Sequence, residues 1–127
     1  MPATAMNHFT ILTDRLEETV DFYRDVLGLE PGARPPFGFP GAWLYTNGEA
    51  VLHVIAGRSL PEPREGVIDH MAFSANGLVD TVGKLKSRGI EYDLRRVTET
   101  NPWQLFFNDP NGAKVELDFD PSEPVPK

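Results

Sequence analysis

Apolar and polar positions along the chain fall into short alternating runs separated by two longer runs with helical spacing. From His8 to Leu12 the alternation sets Phe9 and Ile11 on one side and His8 and Thr10 on the other, as side chains on a strand are arranged. His70 to Ser74 does the same, with Met71 and Phe73 opposed to His70 and Ala72. Similar patterns predict strands near Gly41–Thr46, Ala50–Ala56, Glu91–Val97, Trp103–Asn108 and Ala113–Phe119, with a weaker one at Leu29–Ala33. Leu16, Val20, Tyr23 and Leu27 make an apolar helical stripe. Asp14 to Glu17 reads as an N-cap with a reciprocal glutamate, and Gly28 as a left-handed terminator. In the second helix Leu78, Val82 and Leu85 are the stripe, Asn76 the expected cap and Gly89 the stop. Asp109-Pro110-Asn111-Gly112 is a turn signal, and Pro121 to Lys127 reads as a disordered tail.

The elements come in two copies. Displaced by 62 residues, Asn7-His8-Phe9 falls on Asp69-His70-Met71, Leu16 on Leu78, Val20 on Val82 and Tyr23 on Leu85. After a one-residue slip Gly28-Leu29-Glu30 falls on Gly89-Ile90-Glu91. Later, Asn47-Gly48 echoes Asn111-Gly112, and Ala50 to Val54 echoes Ala113 to Leu117. Several matches in one order imply a repeated unit: a first βαβββ module over about residues 7–57, a Pro- and charge-rich linker over 58–66, and a second module over about 67–120. The expectation is one α+β domain.

Composition narrows the chemistry. A net charge of −7 without a basic cluster argues against nucleic-acid binding. No long apolar run suggests a membrane span, and the first residues lack the pattern of a signal peptide, so a cytoplasmic location is expected. With no cysteine, any metal must use imidazole, carboxylate and water, which suits Fe(II), Ni, Zn, Co or Mn. All three histidines lie on predicted strands, each opposed to an apolar face, and Glu116 is placed in the same way between Val115 and Leu117. His8 and His70 are equivalent in the repeat, as are His53 and Glu116. A pseudo-twofold axis relating the modules would gather all four around one point. Three N/O ligands with positions left open is the form of a catalytic metal site.

These residues carry a resemblance. The doubled βαβββ unit, a histidine in the first and fifth strands, Leu16 to Glu30 (LEETVDFYRDVLGLE), and Asp109 to Leu117 (DPNG-x-x-x-EL) resemble the vicinal oxygen chelate superfamily of glyoxalases, bleomycin-resistance proteins and extradiol dioxygenases. The resemblance implies a cup-shaped, incompletely closed mixed β-barrel with helices outside. It also implies one divalent metal on His8, His70 and Glu116, and a small substrate chelating through two neighbouring oxygens. His53 then acts as acid/base, as in extradiol dioxygenases, or as a fourth ligand, as in glyoxalase-like members. A histidine here favours the dioxygenase reading slightly, although Phe106 stands where those enzymes typically carry tyrosine. The alternatives are a glyoxalase-like lyase or isomerase, and a non-catalytic drug-binding protein of the bleomycin-resistance type. Phe37 and Phe39, on a loop that could serve as a lid, and Trp43 and Trp103 are candidate substrate contacts. Arg58, Arg64, Arg95 and Arg96 are candidate anion contacts, weighed against ordinary surface charge. Open sheet edges lead to the expectation of a homodimer.

Overall fold

The computed structural model describes residues 2–127. Eight strands and two helices follow in the expected order: β1 (Phe9–Thr13), α1 (Leu16–Phe22), β2 (Glu30–Gly32), β3 (Gly41–Thr46), β4 (Glu49–Ala56), β5 (Met71–Ser74), α2 (Leu78–Ser87), β6 (Tyr92–Arg95), β7 (Trp103–Asn108) and β8 (Lys114–Phe119). A π turn, Tyr23–Leu27, continues α1 and ends at Gly28 with φ of 73°. The strands form two separate four-stranded sheets, ordered β1-β4-β3-β2 and β5-β8-β7-β6. In each the first strand runs parallel to the last and the remaining pairs are antiparallel. Within one chain the sheets do not close into a barrel, and β1 and β5 are both unpaired edges.

Alternation decides what each strand buries. Leu52 and Val54 on β4, and Val115, Leu117 and Phe119 on β8, point into one apolar core that also takes Leu78, Val82 and Leu85 of α2. On the first helix the buried residues are Thr19, Phe22, Tyr23 and Val26, while Leu16, Val20 and Leu27 are only partly covered. The buried face, at ordinary helical spacing, lies beside the expected stripe and shares only Tyr23 with it.

Both expected helix caps are corrected. Asp14 makes no cap, and α1 begins at Arg15 without a side-chain acceptor for its own end. The free N–H of Arg15 is taken by Thr13 Oγ1 at 2.8 Å. Asn76 does not cap α2. Glu123, from the segment read as a disordered tail, accepts from Gly77 N and Leu78 N at 3.0 and 2.8 Å. A carboxylate at this end also favours the helix dipole.

The modules are bolted together at the turn before β8. Asp109 is buried and accepts from Tyr23 O–H at 2.6 Å and from the N–H groups of Asn111 and Ala113. The Asn111 side chain enters the first module, accepting from Thr13 Oγ1 at 2.6 Å and donating to Thr19 Oγ1 at 3.0 Å. Outside this core Arg88 of α2 pairs with Asp21 and Asp25.

Candidate metal centre

Strand register carries the internal repeat to single side chains. Across the first sheet Thr10, His53 and Trp43 stand side by side on β1, β4 and β3. Across the second, Ala72, Glu116 and Phe106 hold the same places on β5, β8 and β7. His8 and His70 each immediately precede the first strand of their sheet.

In the second module the two candidate ligands meet. His70 Nδ1 donates to Asp69 Oδ2 at 2.8 Å, and Nε2 faces Glu116 Oε1 at 2.9 Å. A preceding carboxylate that fixes the tautomer and ring angle is a familiar support for a metal-binding histidine. Glu116 is only 6% exposed. A hydrogen bond with Asp118 foremost, then Gln104 and His70, holds its carboxyl below the usual range despite burial. Asp118 moves the other way: burial first, then the hydrogen bond and charge of Glu116, push it up to about 6. Its Oδ1 is buried without a hydrogen-bond partner. The pair therefore holds one negative charge on Glu116 and a proton on Asp118 until the pH rises past about 6.

In the first module His8 repeats the arrangement with a neutral partner. Its Nδ1 donates to Asn7 Oδ1 at 2.7 Å, which leaves Nε2 as the coordinating nitrogen. The His8 ring lies flat against His53 with centroids 3.6 Å apart, and Trp43 stacks on His53 at 4.0 Å. Burial, followed by the electrostatic interaction with the His8 ring, lowers the proton affinity of His53, with Arg34 adding to the effect and a backbone bond at Ala50 opposing it. The His53 imidazole is neutral at pH 7, the form that binds a metal.

The structure thus groups His70 with Glu116 and His8 with His53, but does not bring the pairs together. Among the described residues no three histidine, aspartate or glutamate side chains of one chain are placed to hold a metal ion. The single four-residue cluster expected from the pseudo-twofold axis is not formed within a chain, because the modules adhere through helices and core rather than through the faces bearing these residues. The donor set nevertheless fits a divalent ion: oriented imidazoles, a charged carboxylate sheltered from water, and no thiolate. Phe37, Phe39 and Trp43 gather around His53 and line a small cavity with it. Trp103 is on the core side of β7, paired with Phe119 and away from this group. Asn7 and Asp69, the orienting partners, were not singled out by the sequence reading. Their signal was present, since the repeat aligns the two dipeptides Asn7-His8 and Asp69-His70.

The fold defines a class, and comparison with known proteins agrees. The Glyoxalase/Bleomycin resistance protein/Dioxygenase superfamily model matches residues 5–117, and the chain belongs to this superfamily. Among curated relatives it is similar to Glyoxylase I 4 of Arabidopsis thaliana, 33% identical over 121 residues that cover 90% of this chain and 70% of that one. Solved structures share the fold at lower identity. The fosfomycin resistance protein FosX of Listeria monocytogenes superposes with a TM-score of 0.74 at 18% identity, covering 92% of this chain and 93% of that one. Lactoylglutathione lyase of Agrobacterium tumefaciens gives 0.62 at 21%, covering 95% and 97%.

Proposed function

We propose that two copies of the chain together form a divalent-metal enzyme acting on a small substrate with two neighbouring oxygens. In this reading His70 and Glu116 of one copy join His8 of the other at one metal, and His53 beside His8 supplies a fourth donor. The observation that carries it is the division of the donors: each module presents one oriented half-site, and neither is sufficient alone. Unpaired edges at β1 and β5, and the fully exposed Val67 with Ile68 just before His70, give a second copy surface to cover.

The metal, once bound, would act as a Lewis acid toward the chelated oxygens. Asn7 and Asp69 hold the imidazoles at a fixed angle, and the Gln104 amide donates to Glu116 Oε2. Redox-neutral lyase or isomerase chemistry is the preferred reaction type. The 33% identical relative bears a glyoxylase name, and a FosX structure contains Mn(II) with a dihydroxypropylphosphonic acid. The stacking of His53 between two rings also suits a fixed donor better than a mobile proton carrier.

Mixing two inactive variants tests the shared site. His8→Ala and His70→Ala should each lose metal and turnover as pure dimers. Unfolded and refolded together in equal amounts, half the dimers are mixed and each mixed dimer regains one intact site, so roughly a quarter of the metal capacity should return. A site contained within one chain would recover nothing.

A further inference from the structure

The loop between β2 and β3, residues 33–40, holds a cation that neither the fold nor the metal donors require. Arg34 is half-buried, and its guanidinium lies 5.0 Å from the ring centroids of both Phe37 and Phe39. Its Nη2 donates to Phe39 O at 3.0 Å, which occupies one of the five guanidinium N–H groups. Among the described residues no carboxylate lies within ion-pair reach of it, whereas Arg15, Arg64, Arg88 and Arg95 each have one.

Space for this group is provided by Gly41. A Cβ there would stand 2.9 Å from Arg34 Nη2 and 2.3 Å from Val54 O. Gly41 pairs with Ile55 just as Gln104 pairs with Asp118, and the two pairs are equivalent in the repeat at the offset that relates His53 to Glu116. The second module therefore fills the position beside its ligand Glu116 with an amide and a carboxyl group. The first module has Gly41 and the apolar Ile55 there, and fits a guanidinium beside His53. Arg34, Phe37, Phe39, Trp43 and His53 line one cavity of about 100 Å³, room for one small group.

We propose that Arg34 is an anion-recognition residue that pairs with a carboxylate on the substrate, set apart from the two oxygens that chelate the metal. Phe37 and Phe39 hold the guanidinium partly out of water, with N–H donors still available for the two parallel bonds that arginine makes to a carboxylate. Trp43 and Phe37, with ring centroids 6.0 Å apart and planes tilted by 47°, wall the pocket with apolar surface. The assignment rests on the metal-chelation reading above and narrows the substrate class to anionic molecules with vicinal oxygens.

The test compares two probes by calorimetry on the metal-loaded protein: methylcatechol, which can only chelate, and protocatechuate, which adds a ring carboxylate. A charge-assisted pair should make protocatechuate bind about 10- to 100-fold more tightly. Arg34→Gln should remove that preference, leave methylcatechol affinity unchanged and keep the oligomeric state, while Arg34→Lys should keep part of it. Equal affinities in the unaltered protein, or a preference that survives Arg34→Gln, would overturn the subsite alone. Loss of the dimer in Arg34→Gln would also overturn it, by showing that the arginine holds the assembly. Failure of both probes to bind would overturn the chelation reading and the subsite with it.

Discussion

Two turns occupy equivalent places in the repeat and behave in opposite ways. Asn47 and Gly48, between β3 and β4, take left-handed backbone angles with φ of 51° and 76° and are exposed. They close a tight hairpin by local geometry alone. Asp109 to Gly112, between β7 and β8, is inserted into the other module and carries the buried bonds to Tyr23, Thr13 and Thr19. The same contrast runs through the half-sites: Asn7 and Asp69 support their histidines with a neutral and a charged acceptor. A shared backbone plan therefore left each module free to specialise its polar groups.

The strongest test of this contrast is at the turns. Asp109→Ala strands a buried phenol and two backbone N–H groups, and should cost about 3–5 kcal/mol. Asn47→Ala removes only a residue tolerant of left-handed angles, and should cost about 1 kcal/mol. Urea unfolding of both variants measures the difference, and similar losses would show that the two turns are not specialised.

A smaller effect distinguishes the histidine supports. Asp69→Ala should weaken metal binding about 10- to 100-fold. Asn7→Ala should weaken it less, because a neutral acceptor bonds roughly half as strongly as a charged one. Titration with a competing chelator reads both affinities. A larger loss from Asn7→Ala would reverse the ranking.

The smallest effect is in pH dependence. Asp118 has no counterpart in the first module, where Ile55 stands in its place. Its carboxyl is raised to about 6 in the folded chain, above its ordinary value of 3.8. Between those limits the folded state holds a proton that the unfolded state has released, so stability falls as the pH rises through this window. Asp118→Asn should remove that decline and stabilise the metal-free protein at pH 7, on the order of 1 kcal/mol after solvent screening. Melting temperatures of both proteins from pH 4 to 8 provide the check. Parallel curves would assign the decline to other groups.

Much of this organisation was legible in the sequence because alternation reports directly which face a strand buries. It placed Leu52 and Val54 opposite His53, and Val115 and Leu117 opposite Glu116. What alternation cannot report is which two sheet faces meet, so the separation of His8 and His53 from His70 and Glu116 had no signature in the residue order. The helix starts were misread for a related reason. Asp14 and Asn76 had the right chemistry at nearby positions, but Thr13 and the distant Glu123 took the free N–H groups. Arg34 escaped notice because its importance depends on the absent side chain of Gly41.

The π turn at Tyr23–Leu27 lets the repeat tolerate helices of unequal length. The modules align at a spacing of 62 through Tyr23 and at 61 over Gly28 to Glu30. The first copy therefore carries one residue more than the second within the very segment that winds as a π turn. A single inserted residue would shift an α-helix by about 100° and turn its buried side outward. Here the wider turn absorbs it, so Gly28 still ends the helix and Leu29 still enters the core. The turn thus lets two helices of unequal length, in equivalent places, both end at a glycine. Deleting Arg24 would return the first helix to the length of its twin.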